Sequence, residues 1–262
     1  MTEWSAGDYN QQSSLQKTMA EIQLRKLTLA GDERILDIGC GDGKVTAEIA
    51  RRVRAGSVVG VDPSQNMVDF ASKNFAREAH PNLRFQVMDA RRLTFHNEFD
   101  LVVSFNALHW VPEQTEALIG IRHALKPAGR AQLRFVSEGS RPSLEDIIEE
   151  TRKDARWSRF FEGYQKPYAH FTPEEYQALA ESAGLRVVTI DVEDGSWDFK
   201  TREGFESFAN ATFVEWTQHI PRDDWHDFIT DVLDRYQTIA ASNEAERHTF
   251  KFYQMNVSLE KP

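Results

Sequence analysis

The chain has 262 residues, 40% of them hydrophobic, and a formal charge of −10, enough for one domain with a sizeable core plus an insertion. That acidity argues against a nucleic-acid partner, whose phosphates need concentrated Lys and Arg. Cys40 is the single cysteine, which rules out a disulfide framework and a cysteine-rich metal site, and with no secretory signal and no run of about twenty apolar residues the expectation is a soluble, cytoplasmic protein with no membrane attachment.

Residues 1–12 are polar, and Ser13 to Leu27 has helical periodicity with Leu15, Met19 and Ile22 on one face. The next segment, Ile35 to Gly43, reads Ile-Leu-Asp-Ile-Gly-Cys-Gly-Asp-Gly, and Val45, Ile49 and Val53 follow at helical spacing. This predicts a buried strand, a tight glycine turn and a helix start. A dinucleotide fingerprint needs glycines at its first, third and sixth positions. Here Lys44 holds the sixth position and the third glycine comes one residue early. Asp37 and Asp42 would also repel a pyrophosphate. They suit a ligand with an ammonium group and little phosphate, and S-adenosylmethionine has that chemistry. The Arg51-Arg52-Val53-Arg54 cluster fits the solvated, dipole-favoured end of the helix.

Ser57 to Asp62 predicts a second strand, with Asp62 about twenty residues beyond the glycines, where a nucleotide-binding fold places the acid for ribose hydroxyls. Pro63 and Ser64 open a helix carrying Met67, Val68, Ala71 and Phe75. Leu83 to Met88 is a third strand ending in Asp89-Ala90, an acid able to accept from an adenine amino group. Phe99 to Phe105 is a fourth, followed by Asn106-Ala107-Leu108-His109-Trp110-Val111. The Lys126-Pro127-Ala128-Gly129 turn leads into a fifth, Arg130 to Val136. Alternating strands and helices predict a parallel sheet, with the ligand outside the carboxyl ends of the strands. Beyond it, 140–182 is predicted helical with a loop around Lys166-Pro167-Tyr168. Leu185 to Val192 is predicted as strand, 202–240 as helix, and Thr249 to Ser258 as the closing strand.

The glycine loop, Asp62, Asp89 and the Asn106–Val111 loop, in this order, resemble the class I S-adenosylmethionine-dependent methyltransferases, with specific motifs over about residues 30–136. The resemblance implies an α/β fold with a Rossmann-like, seven-stranded sheet, its last strand antiparallel, and a helical cap. It divides the chain into an N-terminal cap segment (1–29), a cofactor-binding core (30–136) and a C-terminal part of the core with cap insertions (137–262; insertions at about 140–170 and 202–240). It implies S-adenosyl-L-methionine as cofactor, S-adenosyl-L-homocysteine as product, and no metal. Asp37 and the backbone of Gly39, Cys40, Gly41 and Gly43 would hold the methionine part, although Cys40 also fits plain packing. Asp62 would take the ribose hydroxyls, and Met67 would pack on the adenine or sit in the core. Asp89 and Ala90 would meet the adenine edge. Asn106 and His109 would lie beside the sulfonium, with Pro63 and Phe105 completing the cofactor contacts.

A closer resemblance, to the juvenile hormone acid methyltransferase family and more broadly to trans-aconitate methyltransferases, rests on Ser14-Leu15-Gln16-Lys17, on Asp37 to Gly43 and on Leu108-His109-Trp110-Val111. Arg156-Trp157-Ser158 and Ile220-Pro221 are similar in placement. It implies methyl-ester formation on a small-molecule, mainly apolar carboxylic acid, fatty or terpenoid, held by the amide N–H of Gln16 and the indole N–H of Trp110. Ser13-x-x-Gln16 equally fits a helix capping box, and Trp110 equally fits packing. A carboxylate is ionised at neutral pH, so His109 reads as structural or cofactor-contacting. With an amine, phenol or carbon acceptor, His109 or Tyr164 would instead be the base. A third reading is a non-catalytic S-adenosylmethionine-binding regulatory module. The other histidines lack metal-ligand spacing. Arg134 and Arg141 are candidates for a second acceptor carboxylate, with strand-face surface as the other reading of Arg134. Of Trp157, Phe160, Phe161, Tyr164, Tyr168, Phe171, Phe205, Phe208, Phe213 and Trp216, most are expected to form the cap's own core and several to face the acceptor.

Overall fold

The computed structural model describes Met19 and residues 22–262. Largely apolar runs form strands β1 (Arg34–Ile38), β2 (Ser57–Asp62) and β4 (Phe99–Phe105), and the alternating segment Leu-Arg-Phe-Gln-Val forms β3 (Leu83–Val87). The fifth strand, β5 (Leu125–Val136), begins before the predicted Arg130, because Leu125 already pairs with Phe99. The Lys126–Gly129 turn therefore lies within the strand, with Ala128 at a left-handed φ of 60°. Two long strands follow, β6 (Arg186–Asp198) and β7 (Thr249–Glu260). The sheet order is β3-β2-β1-β4-β5-β7-β6. Strands β1 to β5 are parallel, and β7 runs antiparallel to both β5 and β6. This is the expected seven-stranded, Rossmann-like sheet with an antiparallel last strand.

The helices are α1 (Lys44–Arg52), α2 (Gln65–Asn74), α3 (Gln114–Ala124), α4 (Leu144–Thr151), α5 (Pro173–Ser182), α6 (Arg202–Thr212), α7 (Val214–Thr217) and α8 (Trp225–Ala240). Residues 22–26 are helical as well. The helical stretch expected over 140–182 is broken into α4, a single 3-10 turn at Ser158–Phe160, and α5. Two capping boxes start the pieces. Ser143 pairs with Asp146 and Thr172 with Glu175, each satisfying backbone N–H groups at a helix start. Arg51 and Arg52 close α1 in the predicted exposed, dipole-favoured position.

Side chains alternate across the sheet. Leu36, Val59, Val61 and Val102 pack with Leu118 and Ile121 of α3 and Tyr176 of α5. Ile35, Val58, Leu101 and Val103 pack with Ala47, Ile49 and Ala50 of α1 and with Leu24. A third cluster draws on α4, α6 and α8, on Trp157, Phe161 and Tyr168 from the connecting loops, and on Phe250 and Phe252 of β7. Strand β7 joins the first and third clusters by switching its buried parity. Phe250, Phe252 and Gln254 are buried on one face, then Met255, Val257 and Leu259 on the other.

The predicted β6 ends at Val192, but the strand continues to Asp198. Glu193-Asp194-Gly195-Ser196-Trp197-Asp198 is too polar to read as strand. Its antiparallel ladder to Thr249–Gln254 holds it extended, and that ladder backs the third cluster.

Candidate active site

The glycine loop is shaped by two close approaches. Gly39 has φ +75°, and an added Cβ would stand 2.1 Å from the Ala107 Cβ. The β1 loop and the loop after β4 therefore touch only because position 39 has no side chain. Gly43, at φ +80°, would place a Cβ against the Phe85 ring and Ala71. Gly41 (φ +51°) differs, since a Cβ there would meet nothing within 4 Å. The open side of the loop is thus at Gly41. The Gly39 and Cys40 N–H groups both donate to Val61 O, which ties the loop to β2. Cys40 is buried, and an added Cβ on Gly60 would stand 3.0 Å from its sulfur. Burial and the charges of Asp37 and Asp62 push its thiol up, so Cys40 is a packing residue.

Three acids stand at strand ends. Asp37 is buried, accepts from Thr46 Oγ1 at 2.7 Å, and is pushed up to about 7 by burial, with Asp62 adding repulsion. Asp62 accepts from Gly41 N–H and Ser64 N–H, both at 3.0 Å, which orients its carboxylate at the loop mouth. Pro63 separates it from Ser64, the N-cap of α2, whose hydroxyl accepts from the buried Met67. Asp89 caps the short 3-10 turn Ala90–Arg92 and is engaged by Arg91. Arg91 holds that carboxyl below the usual range, while Ala90 is buried in the first cluster. Phe105 is half-buried and packs on the α1 side of the sheet.

The loop after β4 carries these features to a cavity. Asn106, at a left-handed φ of 57°, donates its N–H to Arg134 O at 2.7 Å and accepts from Gln254 Nε2 at 2.8 Å. Leu108 to Trp110 form one 3-10 turn. The cavity measures about 110 Å³, and Asn106, His109 and Trp110 form one wall. Its apolar lining comes from Met19, from Leu144 and Ile148 of α4, from Phe208, Phe213 and Trp216, and from Phe250 and Phe252. Of the ten cap aromatics, Phe208, Phe213 and Trp216 line it; most of the others belong to the third cluster's interior, and Phe171 packs on the first. Trp110 meets Trp216 edge-on at 5.8 Å and Tyr168 at 6.3 Å. His109 is buried, and burial, with His170 at 6.3 Å, drives it down to about 3. It stays neutral through the physiological range.

Several candidates are placed elsewhere. Gln16 lies outside the described residues. Arg134 is buried and bound to Glu193 and Asn256, and Arg141 pairs with Asp194 and Tyr253. Neither lines the cavity, so a second acceptor carboxylate has no partner in them. Tyr164 does not line it either; its hydroxyl donates to Glu149, and burial and that carboxylate push it up, away from a base's range. Conversely, Glu145, Thr212 and Gln254 line the cavity without having been singled out. The pattern Phe-x-Phe-x-Gln-Met-x-Val-x-Leu over 250–259 carries β7's parity switch and is the signal that points to Gln254. Among the described residues no group of His, Cys, Asp and Glu is arranged to hold a metal ion, and no helix is long and apolar enough to cross a membrane.

The chain is similar to known proteins in sequence and in fold. The family described as Methyltransferase domain matches residues 35–129. The chain is 31% identical over 247 residues to an uncharacterised methyltransferase of Schizosaccharomyces pombe, covering 88% of this chain and 87% of that one. It is 29% identical to juvenile hormone acid O-methyltransferase of Drosophila melanogaster, covering 78% and 71%. A solved Bacillus halodurans structure assigned to the methyltransferases superposes with a TM-score of 0.66 at 17% identity, covering 94% and 99%.

Proposed function

The chain belongs to the class I S-adenosylmethionine-dependent methyltransferases, and we propose that it converts a mainly apolar carboxylic acid to its methyl ester. The observation that carries this reading is the cavity. It is lined chiefly by aromatic and aliphatic side chains, holds Trp110 on one wall, and adjoins the loop that packs on Gly39. Ligand sites of this kind combine apolar walls with a few placed polar groups. Similarity to juvenile hormone acid O-methyltransferases supports the carboxyl acceptor.

The residues present fit the cofactor. The loop is open at Gly41, and Asp62 is held at its mouth by two backbone donors. Asp37 and the glycine backbone would hold the methionine part, Asp62 the ribose hydroxyls, and Met67, Asp89 and Ala90 the adenine side. The chemistry supplied by bound S-adenosylmethionine is an activated sulfonium methyl, which a carboxylate oxygen takes in line to leave the ester and S-adenosylhomocysteine. The chain's own part is to orient and to exclude water. Trp110 donates its indole N–H to the carboxylate. Gln16 supplies a second donor; its neighbour three positions on, Met19, lies on the cavity wall. The apolar walls strip water from the nucleophile. No proton is removed, so a neutral His109 suffices as packing beside Trp110.

The test is a turnover screen with S-adenosylmethionine against medium-chain fatty acids, terpenoid acids, aconitate, phenols and amines, with products identified by mass. Methyl esters of the apolar acids are expected. Trp110→Phe keeps the ring and loses the donor, and it should lower kcat/KM about ten- to hundredfold, as for a lost hydrogen bond to a charged group. Methylated phenols or amines with acids untouched would overturn the carboxyl reading. Cofactor binding with no turnover of any acceptor would favour a regulatory module.

A further inference from the structure

The proposed carboxyl chemistry leaves one part of the cavity without a role. Gln254 is 2% exposed and shares the cavity face of β7 with Phe250 and Phe252. Its amide nitrogen donates to Asn106 Oδ1 at 2.8 Å while Asn106 Nδ2 faces the Met19 sulfur at 3.8 Å, the orientation of the pair that gives both amide nitrogens an acceptor. Its Oε1 is then committed as an acceptor, and that oxygen is buried with no hydrogen-bond partner among the described residues. A buried, unpartnered amide oxygen carries a penalty that a donor on a ligand would relieve. Glu145, on the α4 wall of the same cavity, adds a second acceptor. No Lys or Arg is among the described residues that line it.

We infer that Gln254 and Glu145 form a second polar subsite that takes a hydroxyl group, which makes the acceptor a mainly apolar hydroxy acid rather than a plain hydrocarbon acid or a dicarboxylic acid. This rests on the carboxyl methylation proposed above. A hydroxyl both donates and accepts. It can give its proton to Gln254 Oε1 and meet Glu145 in either protonation state. Burial pushes the Glu145 carboxyl up to about 7, with Asp146 adding repulsion, so both states are populated near neutrality. A reacting carboxylate in the same cavity favours the protonated one. An ammonium group would bring three N–H donors to these two acceptors and leave one unpaired against apolar walls, and a second carboxylate would meet the lone pairs of Gln254 Oε1. The polar lining thus selects a group that the apolar walls alone would reject.

The experiment compares decanoic acid with a positional series of hydroxydecanoic acids, reading the ratio of kcat/KM values on the wild-type protein. At least one isomer should be preferred tenfold or more. Gln254→Met keeps the length and removes the acceptor, and Glu145→Leu removes the carboxyl. Each should bring that ratio to within about threefold of unity. S-adenosylhomocysteine binding, measured on each variant, reports that the core is folded, and either variant alone is decisive if the other does not fold. Equal turnover of plain and hydroxylated acids by the wild type would overturn the subsite and leave carboxyl methylation standing. Methylation of amines or phenols with both kinds of acid untouched would overturn both.

Discussion

Buried at the end of a strand, the Asp37 carboxyl has Thr46 as hydrogen-bond donor and Asp62 as a like-charged neighbour, and burial pushes it up to about 7. The sign of its effect follows. An acid raised above its ordinary 3.8 favours the folded state while protonated, so its contribution to stability fades as pH climbs from about 4 to 7. A ligand ammonium beside it reverses the preference, because it favours the ionised form. Below pH 7, binding of S-adenosylhomocysteine would then also have to expel a proton. The expected result by titration calorimetry is an affinity that rises about tenfold per pH unit between 5.5 and 6.5 and levels off above 7. Asp37→Asn should remove the slope. A flat wild-type profile would mean that Asp37 does not face the ligand's ammonium group. This residue also shows how far the sequence could be read. Its place after an apolar run and before three glycines marked it as a site residue, whereas its partner Thr46 sits in an ordinary helical pattern and nothing local sets it apart.

Among the elements, α4 is where distant residues decide the structure. Glu149 is buried, and its Oε1 accepts from Trp216 Nε1 and Tyr164 OH, both at 2.8 Å, while Oε2 accepts from Arg152. Burial alone would raise this carboxyl, but Arg152, Trp216 and Tyr164 outweigh it and hold it below the usual range. Through Trp216 it also sets one wall of the cavity, since that ring lies edge-on to Trp110. Glu149→Leu would strand an indole N–H and a guanidinium together, and the expected loss by urea unfolding is about 3 kcal/mol. A loss below about 1 kcal/mol would show that solvent replaces the carboxylate without cost. Nothing in Leu-Glu-Asp-Ile-Ile-Glu-Glu-Thr separates Glu149 from Glu150, because the difference lies in residues 15 and 67 positions away. Strands β1, β2 and β4 were legible because each buries a largely apolar run, and β3 because Leu83, Phe85 and Val87 alternate with Arg84 and Gln86. The end of β6 was not, because its conformation comes from the β7 ladder rather than from its own side chains.

Across the whole molecule, two clusters flank the sheet and a third stands beyond the strand ends, with β7 and the Asn106–Trp110 loop running between them. The glycine loop proposed for the cofactor meets that loop at Gly39, against Ala107, and the cavity proposed for the acceptor has Asn106, His109 and Trp110 of the same loop on its wall. If the two ligands divide in this way, each should stabilise a different part of the chain, because a ligand slows only the openings that break its own contacts. Hydrogen exchange read by mass spectrometry tests this directly. S-adenosylhomocysteine should slow exchange over 39–43, 62–68 and 89–92. A bound acceptor acid should add protection over 144–151, 208–217 and 250–254. At a hundredfold excess over Kd the ceiling is about 2.7 kcal/mol, or roughly hundredfold slower exchange. The 106–111 loop touches both regions and should respond to either ligand. Acceptor protection confined to 39–43 and 62–68 would move the acceptor out of the cavity, and the roles of Trp110, Gln254 and Glu145 would fall with it.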